Sequence, residues 1–518
     1  MKKIFYVILF LLYSNNILAA DEISESVSIL ISDFLGFFLS PIVEFLAFLF
    51  LGAPYEIFGG VRTITIFQFP FIVFWLVVGG IFFTFKLRFI NLRLFGHAIQ
   101  VVRGKYSEDS KNAPGKISHL QALFAAVSAT VGLGNIAGVA IAVSIGGPGA
   151  VVWMMIAAFF GMSTKFAEVT LGQKYRKFDK NGHLLAGSFY YLEDGLSKRG
   201  MRKFGKHLAK LSAFCCVAGA MGAGLMFQAN QSVAIITESF NFSTFYKLVL
   251  VFALTFVIGF ILLGGIKRIA TIAEKIVPVM AITYVICCLV VLVAHFDRVD
   301  DAIRIMFTAA FSGDAIYGGV IGAIIQGVKR AAFSNEAGLG SAPIAHAAAK
   351  TTEPVREGAV AILEPFLDTI IICFMTGIVI VITGVYENSG LNDGVLLTKQ
   401  AFSSVHAWFP YILSIVVFLF AFSTMLTYSY YGQQAWGYIT KSVDFRLCHI
   451  VFAICVFMGG VLNIGIVIDF ADILFLSMAI PNMIGLYAMS GEIKEAAEAY
   501  ILKLKSGEFD KQVKKKKA

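Results

Sequence analysis

The sequence predicts an all-α polytopic membrane protein of about eleven transmembrane helices, ten of them arranged as two sets of five in inverted orientation. Three observations predict it. The 518-residue chain is 58% hydrophobic and only 14% charged, whereas soluble domains carry about 25% charged residues. Apolar runs of spanning length recur along most of the chain. Lysine and arginine gather in every second loop between those runs, as the positive-inside rule requires.

The elements follow in order. Residues 1–20 read as a signal peptide: Lys2 and Lys3 precede an apolar stretch from Ile4 to Tyr13, and Ala19-Ala20 form a small-residue exit. Residues 21–63 form an N-terminal periplasmic or interfacial segment. Within it, 27–52 are apolar but interrupted by Asp33, Pro41 and Glu44, which suits an interfacial or re-entrant helix. The membrane domain covers 64–490. Spans are expected at 64–86, 119–145, 150–172, 210–238, 247–266, 276–296, 316–346, 359–385, 408–432, 449–466 and 468–490. A basic tail, 491–518, ends in Lys514 to Lys517. The loops at 86–118 and 173–210 are strongly basic, and Asp297, Asp300 and Asp301 mark an acidic one. This parity places the mature N-terminus outside and the C-terminus in the cytoplasm, in agreement with a signal peptide. The net charge of +9 is explained by these loops and by anionic lipid, with no need for nucleic acid. The seven cysteines lie in or beside apolar stretches and read as packing residues.

With 64–86 set aside, the first helix of each set of five is interrupted. The first contains Thr130-Val131-Gly132-Leu133-Gly134-Asn135, the sixth Phe333-Ser334-Asn335-Glu336-Ala337-Gly338-Leu339-Gly340-Ser341. One Gly-rich segment would serve close helix packing alone. Two in corresponding positions, both rich in polar side chains, point to discontinuous helices around a midplane site, a plan common in transporters. An unwound turn frees N–H groups that can hold a carboxylate and carbonyls that can coordinate a hard cation. Gly132-x-Gly134-x-x-Ala137 matches a dinucleotide fingerprint only as a pattern, since no acid follows near residue 155. No nucleophile–base set suggests an enzyme. A channel remains an alternative, because pores also use glycine and carbonyl groups. Lys165, Glu168, Glu364 and Asp368 are charged at membrane depth. Lys165 and Glu168 are expected to pair, and Lys329, Arg330 and Glu336 flank the second break as candidates for gating.

The segment Thr130–Gly138, with Gly146-Gly147-Pro148-Gly149 and Thr164-Lys165-Phe166-Ala167-Glu168, resembles the alanine/glycine:cation symporter family. So do Gly264-Gly265-Ile266-Lys267-Arg268, Phe333 to Ala345 and Ser429-Tyr430-Tyr431-Gly432. The resemblance runs from about residue 64 to 490. It implies sodium-coupled, occasionally proton-coupled, uptake of alanine or glycine through a bacterial inner membrane, and the fold of the neurotransmitter:sodium symporters. It implies a substrate site at Thr130, Gly132, Leu133, Gly134, Gln228, Phe333, Ser334 and Asn335. It also implies sodium at the carbonyls of Ser128 and Val131 with the hydroxyls of Ser423 and Thr424. Asn135 would brace the broken turn. The expected working unit is a monomer in the lipid bilayer. Tyr428 stands where the family often has Trp, and Gln433 where it often has Glu. Tyr428 is therefore expected to line the pocket and to bear on which small neutral amino acid is preferred.

Overall fold

The computed structural model describes residues 71–106, 113–180, 182–261, 265–312, 319–388, 394–442 and 444–511, with parts of 29–70. The expected signal peptide lies outside the described residues, as does most of 27–52. Two short hairpins, Tyr55–Ile57 with Gly60–Arg62 and Thr65–Ile66 with Phe69–Pro70, precede the first long helix. The span expected from residue 64 therefore begins at α1, Phe71–Lys86, with Pro70 at its N-cap. Alternation of β-branched and aromatic residues with polar ones (Thr63-Ile64-Thr65-Ile66-Phe67) favours the extended form before it.

Helices follow almost without interruption. They are α2 (Phe95–Val102), α3 (His119–Thr130), α4 (Ala137–Gly146), α5 (Gly149–Tyr175), α6 (Ser188–Ser197) and α7 (Arg202–Ser239). Next come α8 (Thr244–Ile261), α9 (Gly265–Ala294), α10 (Val299–Phe311), α11 (Gly319–Asn335) and α12 (Ala342–His346). The chain continues through α13 (Pro354–Thr383), α14 (Val395–Ser403), α15 (Phe409–Thr440), α16 (Arg446–Val461), α17 (Ile464–Ala488) and α18 (Ser490–Lys505). Among the described residues, six helices are long and apolar enough to cross a membrane, and His119–Thr130 taken with Leu133–Gly146, bent by 60°, brings the number to seven. Three shorter apolar helices are Phe71–Lys86, Thr244–Gly259 and Arg446–Val461.

Their surfaces show which solvent they meet. Phe252, Phe256, Val279, Ile282, Val293, Ile450 and Ile454 are exposed on α8, α9 and α16. A band of large apolar side chains on that scale belongs against lipid. The inward faces carry small residues instead. Gly224 lies against Tyr428, and Gly459 against the backbone of Met226; a methyl group at either would come within 2.3 Å. Both contacts need helices at the close approach that small residues permit.

Two long helices contain π-helical turns, Ala220–Met226 in α7 and Phe366–Cys373 in α13. Such turns often mark functional positions. Here they immediately precede Gln228 and enclose Asp368.

One end of the bundle is closed by α18. Glu492 binds Lys174 (2.7 Å) and Arg199 (2.6 Å) and accepts from the Tyr175 hydroxyl (2.9 Å). Beside it, outside the expected spans, His97 Nε2 and the Tyr500 hydroxyl are hydrogen-bonded (2.8 Å), and the Arg356 guanidinium lies over the Tyr106 and Phe509 rings. Burial, with the Arg356 charge beside it, pushes His97 from 6.5 down to about 4. Below pH 6.5 the undocked state takes up the proton first. The stability of docking is thus complete above 6.5 and is lost as pH falls toward 4, by at most about 1.4 kcal/mol per pH unit. Amide exchange in α18, corrected for intrinsic rate, should quicken between pH 7 and pH 5 in the natural chain and much less in His97→Gln.

Candidate functional site

The first break is built from its cap inward. Ser118 and Gln121 form a capping box that starts α3: Gln121 N–H donates to Ser118 Oγ (3.1 Å) and Ser118 N–H to Gln121 Oε1 (3.0 Å). The helix ends at Val131 (φ −76°, ψ 84°), Gly132 is extended, and Leu133–Asn135 form a single 3₁₀ turn before α4. Unwinding here strands backbone donors far from water, and the cost of leaving them unpaired is high. They are paired by side chains. Gly132 N–H donates to Asn135 Oδ1 (2.9 Å), and Leu133 N–H to Gln228 Oε1 (3.0 Å). Gln228 is held in turn by donating to the Ala223 carbonyl in the π turn (3.1 Å).

Asn135 joins this break to the second. Its side-chain amide donates to Ser334 Oγ (3.0 Å) and to Asp368 Oδ1 (2.5 Å), and its backbone carbonyl accepts from Thr376 Oγ1 (2.7 Å). The Ser334 hydroxyl donates to the other oxygen of Asp368. All these side chains are buried.

The second break opens after Asn335. Glu336 (φ 60°), Gly338 (φ 93°) and Gly340 (φ 80°) take left-handed backbone, which glycine adopts freely and glutamate does not. Two carboxylates hold it. Glu168 accepts from Gly340 N–H (2.9 Å) and Asn482 Nδ2 (2.6 Å), and Glu336 accepts from the Ser341 hydroxyl. Lys165 does not pair with Glu168 as expected; its ammonium lies 3.5 Å from Glu364. Lys329 (2.9 Å) and Arg330 both bind Asp472 of α17, so these two residues close one side of the break while Glu336 belongs to its interior.

The residues expected to bind ligands fall into three groups. Gly132, Leu133 and Gln228 converge, and a methyl group on Gly132 would come 2.4 Å from Thr424 Oγ1. Ser128, Ser423 and Thr424 also meet. Thr424 Oγ1 donates to the Ser128 carbonyl (3.2 Å), and Ser128 Oγ to the Ser423 carbonyl (3.2 Å). Gly134 faces Phe333, whose ring packs on Phe227 and Phe475, each 5.1 Å away between centroids. Three residues turn elsewhere. The Thr130 hydroxyl points back to the Ala126 and Val127 carbonyls of its own helix (3.5 and 3.4 Å). Asn335 caps its own break by accepting from Ala337 N–H (3.0 Å). Tyr428 stacks edge-on with Phe475 and Tyr431. Sequence reasoning singled out Asp368 only as an intramembrane acid and left out Thr369 and Thr427, although Thr427 Oγ1 donates to Ser128 Oγ (3.1 Å). The spacing of four between Ser423 and Thr427 on α15 was the available signal.

A buried carboxylate, several hydroxyls and two unwound helices meet at mid-bundle, the arrangement of a membrane-transporter site. The sequence model of the Sodium:alanine symporter family matches residues 55–515, and the chain belongs to that family. It is 40% identical over 434 residues to the sodium/alanine symporter AgcS of Methanococcus maripaludis, covering 83% of this chain and 94% of that one. It is 36% identical over 432 residues to "Probable sodium/glutamine symporter GlnT" of Bacillus subtilis, covering 83% and 87%. Among solved structures, it is similar to MhsT in complex with L-phenylalanine at a TM-score of 0.44 and 13% identity, covering 74% of this chain and 99% of that one.

Asn135→Ala would leave the Gly132 N–H and the Asp368 carboxylate each short of a partner. Each buried unpaired group costs about 1–3 kcal/mol. The detergent-solubilised variant should unfold at a clearly lower temperature than the natural chain; an unchanged midpoint would mean the break is held by other contacts.

Proposed function

We propose that this chain is a symporter that carries a small neutral amino acid, alanine or glycine, into the cell with sodium by alternating access. The observation that carries the reading is the direct meeting of the two breaks, α3/α4 against α11/α12, with Gln228, Thr424 and Phe333 around Gly132–Gly134. In this reading the substrate carboxylate takes the N–H groups of Leu133 and Gly134. Gln228, which now occupies the first of them, swings to receive it. Ser334 and Phe333 complete the surroundings, Phe333 covering the apolar side, while Thr130, Asn335 and Tyr428, whose side chains turn elsewhere, would have to reorient to take part.

Sodium is bound between α3 and α15, by the carbonyls of Ser128 and Val131 and the hydroxyls of Ser423 and Thr424. The contact of Ser128 with Ser423 and Thr424 supports this placing. The charge of the loops supports an inner-membrane protein with its mature N-terminus outside and C-terminus inside. The two sets of five helices are then inverted repeats, and a single chain suffices. Residues 1–20 serve as the signal peptide, 21–63 as the external segment, 64–490 as the transporter domain and 491–518 as the cytoplasmic tail. Towards that tail, α15 lines a cavity of about 790 Å³ with Gln433, Gln434, Lys206 and Lys210, which suits the exit route.

The deciding experiment is uptake of labelled alanine into proteoliposomes with and without an inward sodium gradient, with glycine, serine and glutamine as competitors. Gradient-driven accumulation is expected. Uptake that ignores sodium would overturn the coupling, and displacement only by glutamine would overturn the substrate. Thr424→Ala removes one oxygen from the proposed cation site. It should raise the sodium concentration for half-maximal uptake about tenfold, as loss of ~1.4 kcal/mol would, with the order of competitors unchanged. Gly134→Val should abolish uptake while still inserting, because even a methyl group there would press to 3.1 Å from the Phe333 ring.

A further inference from the structure

One row of buried groups takes no part in the proposed binding of amino acid or sodium. It crosses four helical elements. His119 at the start of α3 meets one oxygen of Glu357, on α13. The other oxygen of Glu357 lies 2.6 Å from Nδ1 of His346, at the end of α12. Nε2 of His346 lies 3.4 Å from Glu364, also on α13, and the same oxygen of Glu364 lies 3.5 Å from the Lys165 ammonium of α5. Every member is at most 7% exposed.

The hydrogen count of this row does not close with ordinary protonation. A neutral imidazole has one N–H and one lone pair, and a carboxylate only accepts. His346 has a carboxylate oxygen at each ring nitrogen. If it is neutral, one nitrogen presents a lone pair to a carboxylate in a fully buried site. The arrangement is satisfied only by one further proton, either making His346 an imidazolium or sitting on Glu357 or Glu364.

The surrounding charges reinforce this. Lys165 also faces Glu168, Glu336 and Asp368. Arg176 donates to the Ala347 and Ala349 carbonyls (both 2.6 Å) and faces Glu357. His97 faces His119, and Tyr431 of α15 faces Glu336 and Glu364. Five carboxylates (168, 336, 357, 364 and 368) thus stand against Lys165, Arg176, His119 and His346. Even with both histidines charged, the negative groups are one in excess, and buried unpaired charge is costly.

We propose that His346, between Glu357 and Glu364, is a proton-binding site that latches the cytoplasmic ends of α3, α12 and α13 together. The placing of that end in the cytoplasm rests on the topology proposed above. While the elements are packed, the proton is required. When they part, water solvates both carboxylates, the N–H bond of the imidazolium breaks, and the proton passes to water and out to the cytoplasm. Lys116, three residues before His119, lines the cavity of about 790 Å³ and brings solvent close. Backbone bonds lace the same elements: Lys116 N–H to the Ala348 carbonyl (2.7 Å) and Lys350 N–H to the Ile117 carbonyl (2.9 Å). Lys165 also faces Glu168 without binding it, so the latch is linked only by charge to the carboxylate that holds Gly340 in the second break. The sign follows from linkage: the closed form binds the proton more tightly, so acid favours closure and alkali favours opening.

The test uses the whole chain in proteoliposomes and the variant Glu364→Gln. An amide can donate to His346 Nε2, so this variant removes the need for the extra proton while keeping the shape of the row. Alanine exchange at saturating sodium, with equal pH on both sides, should fall between pH 8 and pH 6 in the natural chain, by up to about tenfold per pH unit. It should be nearly flat in Glu364→Gln, and His346→Gln should follow the same flat profile. Amide exchange in residues 342–350, corrected for intrinsic rate and measured without amino acid, should show more protection at pH 6 than at pH 8, and this difference too should vanish in Glu364→Gln. The same pH slope in the natural chain and Glu364→Gln by both readouts would overturn the proposal. A slope in amide exchange that the variant abolishes, in a chain that carries no alanine, would retain the latch and overturn the transport reading instead.

Discussion

The bundle depends on how the unwound turn after Thr130 is paid for in hydrogen bonds. Inside a membrane no water takes the place of lost helical partners, so an unwound turn survives only where side chains replace them. Asn135 does this with both ends of one amide. Its oxygen takes the Gly132 N–H, and its nitrogen reaches Ser334 and Asp368 on the opposite break. Gln228 takes the Leu133 N–H from α7. Three elements are thereby tied to one turn, and the positions of α7, α11 and α13 follow from it. The π turns in α7 and α13 belong to the same solution, since each shifts the helical register where Gln228 or Asp368 has to reach inward.

The fold was legible because lipid imposes length and composition on every spanning element. Each expected span meets a helix, although among the described residues only six helices and one bent pair, rather than eleven, have the length and composition of a crossing, and both breaks were marked by glycines. The front edge of the first span was misplaced. Residues 64–70 are apolar enough to read as helix, but their alternating pattern and Pro70 favour a hairpin. The site was legible in part. The breaks in the backbone at Gly132–Gly134 and Gly338–Gly340 could be found from the glycine pattern. Residues that owe their role to a partner on another helix could not. Asp368 stands out as an intramembrane acid, but nothing in the sequence says that it meets Asn135 and Ser334 while Glu364, four residues earlier, meets Lys165. The expected Lys165–Glu168 pair failed for the same reason. Spacing puts both on one face, yet the second break brings Gly340 N–H to Glu168, and α13 brings Glu364 to Lys165.

The two breaks are held by different chemistry. The first is braced chiefly by neutral amides and hydroxyls, which exchange partners at modest cost because each can donate or accept. The second is braced by Glu168 and Glu336 and closed on one side by Arg330 and Lys329 on Asp472. Separating a buried carboxylate from its partners is costly unless a proton or a cation replaces them. The first break can therefore respond to a neutral zwitterion that offers new hydrogen bonds. The second has charged fastenings that such a ligand does not neutralise.

This difference bears on how motion would be divided. The α3 half of the first broken helix touches the second through Asn135 to Ser334 in mid-bundle and through His119 to Glu357 and His346 at its start. A ligand that reordered Gln228, as proposed, would act on the first contact alone, and α3 would stay fixed at its other end until the histidine–glutamate row also yielded. A neutral row of the same shape would bind as firmly through packing but would have no dependence on solution conditions. The use of two histidines and two glutamates, where leucines would fill the space at lower desolvation cost, is accounted for if the state of that end has to follow the proton concentration on the side to which it opens.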